Sequence, residues 1–152
     1  MAYRTISIMG PARQREFKAG GAITPGHLVE VSSTAGDVVV HSTAGGTAIA
    51  MFALEDEGQG KTITQAYADN NEVRCGVFGP GDEVYAILAD GENASVGSFL
   101  ESAGDGTLRV VDADASVGDI GVQSVVGIAL EAVDMSGSSG ADPSGRIQTM
   151  IL

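Results

Sequence analysis

Five residues from Gly26, Gly-His-Leu-Val-Glu, return at Gly97 as Gly-Ser-Phe-Leu-Glu, an offset of 71. Gly36-Asp-Val-Val-Val40 returns as Gly106-Thr-Leu-Arg-Val110, an offset of 70. Ile49 to Glu55 matches Val125 to Glu131 at an offset of 76, and Val73 to Phe78 parallels Ile147 to Leu152 at 74. The order is kept while the offset drifts by a few residues, as loop insertions in a duplicated unit produce. Each half-unit, about 23–78 and 95–152, reads as hairpin, strand, long loop, strand. A duplication of this kind admits few folds, because each half has one apolar face and the halves must bury those faces against each other.

The texture is all-β. The chain has 22 glycines, and short runs of Val, Ile, Thr and Ala are broken by turn residues. No long window carries apolar residues at the i, i+3, i+4, i+7 spacing of a helix. Strands are predicted at 3–8, 27–32, 37–42, 47–54, 72–78, 83–88, 98–102, 107–112, 124–132 and 146–152. Asp105-Gly106, Pro80-Gly81 and Asp90-Gly91 supply the turns between them. The expectation is a small closed or nearly closed β-barrel with pseudo-twofold internal symmetry, since closure removes exposed strand edges. It occupies 19–152 as one domain, preceded by an extended N-terminal arm over 1–18.

Charge is unevenly spread. The chain carries 8 basic and 20 acidic residues, a net −12. Residues 1–18 hold Arg4, Arg13, Arg15 and Lys18 against Glu16, a local +3 that leaves −15 for the rest. So acidic a body argues against nucleic-acid binding, which needs Lys and Arg on phosphates. No apolar run approaches the roughly 20 residues that span a bilayer, and none reads as a signal peptide. With Cys75 alone no intrachain disulfide can form, and assembly in the cytosol is expected.

Gly60-Lys61-Thr62 matches the end of a phosphate-binding loop, G-x-x-x-x-G-K-[ST]. The first glycine would fall at 55, where Glu55, Asp56 and Glu57 stand instead, and three carboxylates repel a polyanion. The nucleotide reading is therefore rejected. A lipoylated or biotinylated Lys61 would need a tight hairpin tip, which a loop from Glu55 to Glu72 is too long to make. His27 and His41 are the only histidines and lie in different strands, without metal-ligand spacing. Serines and aspartates leave a Ser/His/Asp triad open, but Gly137-Ser-Ser-Gly140 is one residue short of a nucleophile elbow. Cys75 reads as a small core residue. Asp112, Asp114, Ser116 and Asp119 alternate like a calcium loop, yet Val117 and Gln123 occupy its glycine and glutamate positions, so a solvated acidic loop is expected. No catalytic, cofactor or metal constellation is predicted.

Several blocks taken together resemble a known family. Phe17-Lys18-Ala-Gly-Gly, Ile23-Thr-Pro-Gly-His-Leu-Val-Glu30 and Met51-Phe-Ala-Leu-Glu55 are one part of the pattern. Gly79-Pro-Gly-Asp-Glu-Val-Tyr-Ala-Ile-Leu88 and Gly97-Ser-Phe-Leu-Glu-Ser-Ala-Gly-Asp-Gly-Thr-Leu108 are the other. The chain resembles, from about residue 17 onward, the small capsid decoration or cement proteins of tailed bacteriophages and prophages. That resemblance implies a β-barrel or β-tulip-like domain with an N-terminal arm. It further implies a non-enzymatic protein, commonly a homotrimer, that binds the major capsid protein on the outer face of the virion and stabilises the shell. Such a protein is made in the bacterial host cytoplasm. On this reading Tyr3, Arg4, Ile6, Ile8, Arg13, Arg15, Phe17 and Lys18 form a capsid-contacting arm, laid over the shell as an added strand. The rival readings are a virion-displayed ligand- or host-binding module and a small hydrolase. The first needs an aromatic platform, for which no Trp, 3 Tyr and 4 Phe are a poor supply. The second needs perturbed titratable groups converging in one pocket. The loops at 55–72, with a helical turn expected near Ile63–Tyr67, and at 132–146 are further candidates for partner contact.

Overall fold

The computed structural model describes residues 3–34, 36–111, 124–138 and 145–152. The candidate calcium loop at 112–119 and the middle of the 132–146 loop lie outside the described residues. The strands are β1 (Ser7–Met9), β2 (Arg13–Ala19), β3 (Val29–Val31), β4 (Asp37–Val40), β5 (Met51–Ala53), β6 (Glu72–Val77) and β7 (Glu83–Ile87). They continue with β8 (Asn93–Ala94), β9 (Phe99–Ser102), β10 (Leu108–Val110), β11 (Val125–Ala129), β12 (Val133–Asp134) and β13 (Arg146–Ile151). Two sheets carry the fold, a six-stranded one ordered β1-β7-β13-β11-β9-β10 and a five-stranded one ordered β3-β4-β2-β6-β5, with β8 and β12 as a small pair.

Side-chain alternation explains which faces are buried. In β6 Val73 and Cys75 point inward while Glu72 and Arg74 point out, and in β13 Ile147, Thr149 and Ile151 are buried between less buried neighbours. The larger core draws Leu28, Phe52, Leu54 and Phe78 from the first half, Leu100, Leu108, Ile147 and Ile151 from the second, and Val84 and Leu88 from the segment between them, so it fills the layer between the sheets. A second core of Ala19, Ile23, Val29, Val38, Met51, Ala53, Tyr67, Val73 and Cys75 lies within the curl of the five-stranded sheet. β5 sits between the two cores: Phe52 faces the shared layer, Met51 and Ala53 the smaller core, and all three are buried. That is why Met-Phe-Ala-Leu reads as an unbroken apolar run.

The hydrogen bonds of the halves correspond. Gly26 N–H donates to Ala53 O and Ala53 N–H to His27 O; Gly97 N–H donates to Ala129 O and Ala129 N–H to Ser98 O. The turn before each also matches. Thr24 N–H donates to His27 Nδ1 where Ser95 N–H donates to Ser98 Oγ, and the return bonds are His27 N–H to Thr24 O and Ser98 N–H to Ser95 O. Gly26 and Gly97 take φ of +97° and +85°, a left-handed conformation that favours glycine.

The expected barrel does not form; the sheets pack as a β-sandwich-like fold. The ends of the five-stranded sheet meet at a single bridge, Leu28–Phe52, and β10 reaches the end of β7 at the single bridge Leu88–Leu108. Alternation specifies which face is buried, and a sandwich and a barrel satisfy it equally, so the period carried no information on closure. The described part of the expected arm, residues 3–18, is engaged in both sheets. Ser7–Met9 edges the six-stranded sheet along β7, and Arg13–Ala19 pairs with β6 from Arg13–Val77 to Lys18–Glu72 and with β4 at Lys18 and Ala19. Backbone pairing needs no apolar side chains, so a strand spelled Arg-Gln-Arg-Glu reads as a solvated arm. The helical turn falls at Glu57–Gln59, earlier than expected, because Asp56 caps it and Gly60 ends it at φ +71°.

Candidate interaction surface

The residues expected on one arm are divided between the two sheets. Tyr3, Ile6 and Ile8 belong with the six-stranded sheet. The Tyr3 hydroxyl donates to Gln148 Oε1 at 3.1 Å and its ring meets Tyr85 edge-on at 5.2 Å. Ile6 is fully buried, its carbonyl accepts Tyr85 N–H at 2.8 Å, and its N–H donates to Glu55 Oε2 at 2.9 Å. Glu55, the residue that breaks the phosphate-loop pattern, thus anchors the N-terminal segment. Arg13, Arg15, Phe17 and Lys18 lie on β2 in the other sheet, and Arg4 precedes β1. Arg4, Arg13, Arg15 and Lys18 are exposed, and none takes part in an ion pair among the described residues. The Arg15 guanidinium sits 4.9 Å from the Phe17 ring centroid, a cation–π contact that holds it over the sheet. A shallow depression beside it is lined by Gln14, Arg15, Glu16 and Arg74.

Elsewhere the polar groups are structural. His41 Nδ1 lies 2.7 Å from Ser102 Oγ, Nε2 lies 3.1 Å from Thr47 O, and Glu30 Oε2 is 3.8 Å away. This has the order of a hydrolase triad, but Ser102 is completely buried and its Oγ accepts Gly104 N–H, so no substrate reaches it in this conformation. Burial pushes the Cys75 thiol up to about 12, leaving it protonated at neutral pH. Lys61 donates to Ala66 O at 3.0 Å and Gln59 to Asp56 Oδ2 at 2.7 Å, so the glycine-rich loop is tied to itself. Among the described residues no three of His, Cys, Asp and Glu gather as metal ligands, and no helix is long and apolar enough to cross a membrane. Among the described residues His27 joins neither an ion pair nor a metal-type cluster; burial lowers its pKa to about 4.

Sequence reasoning missed two buried charges, Glu101 and Arg146. Glu101 has no exposed surface; its Oε1 accepts from Arg109 Nε at 2.8 Å and from Nη2 at 2.7 Å. Arg146 lies under the loop at 63, donating through Nη2 to Ile63 O and stacking 5.7 Å from the Tyr85 ring, and burial lowers its pKa. The only signal available was a charge inside each apolar strand, which a period-two reading assigns to the solvent face.

No protein-family model matches the chain, and no curated protein matches it. Among solved structures it is similar to the head fiber gp8.5 N base in bacteriophage phi29. The likeness covers 93% of this chain and 95% of that one, with a TM-score of 0.58 and 14% identity. At that identity the likeness is one of fold.

Proposed function

We propose that this chain is a structural protein of a phage virion. Within that class we read it as a decoration protein that binds the major capsid protein on the outer face of the shell, as a trimer at threefold and quasi-threefold positions. The observation that carries the reading is the fold shared with a phage head fiber base over 93% of the chain. Charge supports it: a chain of net −12 suits an outer, solvated surface, while Arg13, Arg15 and Lys18 form a basic strip with no ion-pair partner among the described residues. The reading is non-enzymatic, in keeping with a His41–Ser102 pair sealed from solvent.

The test is sedimentation with expanded capsids of the phage or prophage that encodes the chain. The expected result is that it pellets with the shells and raises their melting temperature. Replacing Arg13 and Arg15 together by Glu should weaken binding by roughly tenfold at low salt, and less at high salt. A protein that stays in the supernatant at low salt overturns the reading.

A further inference from the structure

The hydrogen bonds to the two repeated units assign β2 and β7, each just before its unit, to the same place, yet their outer edges differ. Ala19 N–H donates to Asn71 O at 2.7 Å and Gly20 N–H to Val38 O at 2.9 Å; Leu88 N–H donates to Gly145 O at 2.6 Å and Ala89 N–H to Leu108 O at 2.8 Å. Ala19 and Leu88 are therefore equivalent, and three residues earlier Glu16 corresponds to Tyr85. Along β7 the edge is used: Tyr85 N–H donates to Ile6 O, and β1 runs antiparallel at Ser7–Val84 and Met9–Glu83. Along β2 no described strand takes that position, since β4 reaches only Lys18 and Ala19. Ala19 N–H points to Asn71 and Lys18 N–H to Gly36, so the alternation of the ladder turns the N–H and C=O of Gln14 and Glu16 away from β6.

We propose that the Gln14–Glu16 edge of β2 is a strand-addition site that takes an extended, acidic segment of a partner protein, in the way β1 lies on β7. The fold already shows what covers this edge, because an extended segment covers the corresponding edge of β7. The partner's charge follows from the exposed Arg13 and Arg15, which no ion pair among the described residues neutralises. A second copy of the chain fits poorly. Its own β1 segment brings Arg4, β2 against β2 opposes arginine to arginine, and two bodies of −12 repel. Charges along an edge also discourage self-pairing, which keeps it open for a chosen strand. The proposal rests on the virion reading only for which protein supplies the strand.

The probe is a synthetic eight-residue peptide alternating glutamate with valine, compared with one carrying lysine for glutamate, with amide hydrogen exchange followed by NMR. The acidic peptide is expected to slow exchange at Gln14 and Glu16 by roughly tenfold without changing Tyr85, and the lysine peptide to do nothing. Gln14→Pro removes one outward N–H while sparing the bonds to β6, and should abolish the effect. If that variant does not fold, Arg15→Glu, at an exposed position, should weaken it several-fold. No protection with millimolar acidic peptide, or equal protection with both peptides, overturns the proposal. Wild-type protein that takes up the acidic peptide but ignores capsids leaves this site standing and removes the virion reading alone.

Discussion

His27 and Ser98 perform one task with different chemistry. Each accepts the N–H of the residue three positions earlier and so fixes the turn that leads into a hairpin. Only His27 titrates. Burial, with Arg146 nearby adding to it against the opposing pull of Asp105, takes its pKa from 6.5 to about 4. A folded value below the unfolded one means that the unfolded chain binds the proton more tightly, so this contribution is complete above pH 6.5 and is lost as pH falls toward 4. The loss approaches about 3 kcal/mol at the acid end. His27→Ser installs the twin's residue and keeps the turn. Urea unfolding at pH 7 and pH 4.5 should show wild type losing about 2 kcal/mol more than the variant on acidification. Equal losses would mean that His27 is already charged in the folded protein.

At the level of elements, β2 decides how a truncation behaves. An arm over 1–18 would be dispensable to the fold. The observed strand is not, because β2 joins β4 to β6 and its loss divides the five-stranded sheet. Deleting residues 1–16 should therefore abolish the cooperative thermal transition, read by far-ultraviolet circular dichroism, whereas deleting 1–5 should leave it. The same strand shows where sequence reading ends. Val73, Cys75, Ile147 and Ile151 announced their strands through alternation, and Gly26, Gly97, Gly36 and Gly106 announced the repeated turns. Arg13 to Glu16 announced nothing, since all four side chains reach water and only the backbone is engaged. Of the interaction surface, the basic character of Arg13, Arg15 and Lys18 was legible. The open side of β2 over Gln14–Glu16 was not, because paired and unpaired stretches of a strand differ in partners rather than composition.

For the molecule as a whole, Phe52 joins the halves. It is fully buried, belongs to the five-stranded sheet, and meets Phe78 edge-on at 5.9 Å in the layer shared with the other sheet. Phe52→Ala should cost roughly 3–5 kcal/mol. Exchange protection in both sheets should fall together, and protection lost from one sheet alone would mean that the halves unfold separately. The strand order carries one more consequence, for the time at which the molecule can exist. The six-stranded sheet opens with β1 and has β13 near its middle, joining β7 to β11. A ribosome releases β1 long before residue 146 is made, so nascent β1 and β7 must wait beside an unfilled gap. Folding governed by so distant a closure is slow. An incomplete copy should therefore hold the five-stranded sheet, whose strands all precede residue 78, beside an unfinished six-stranded one.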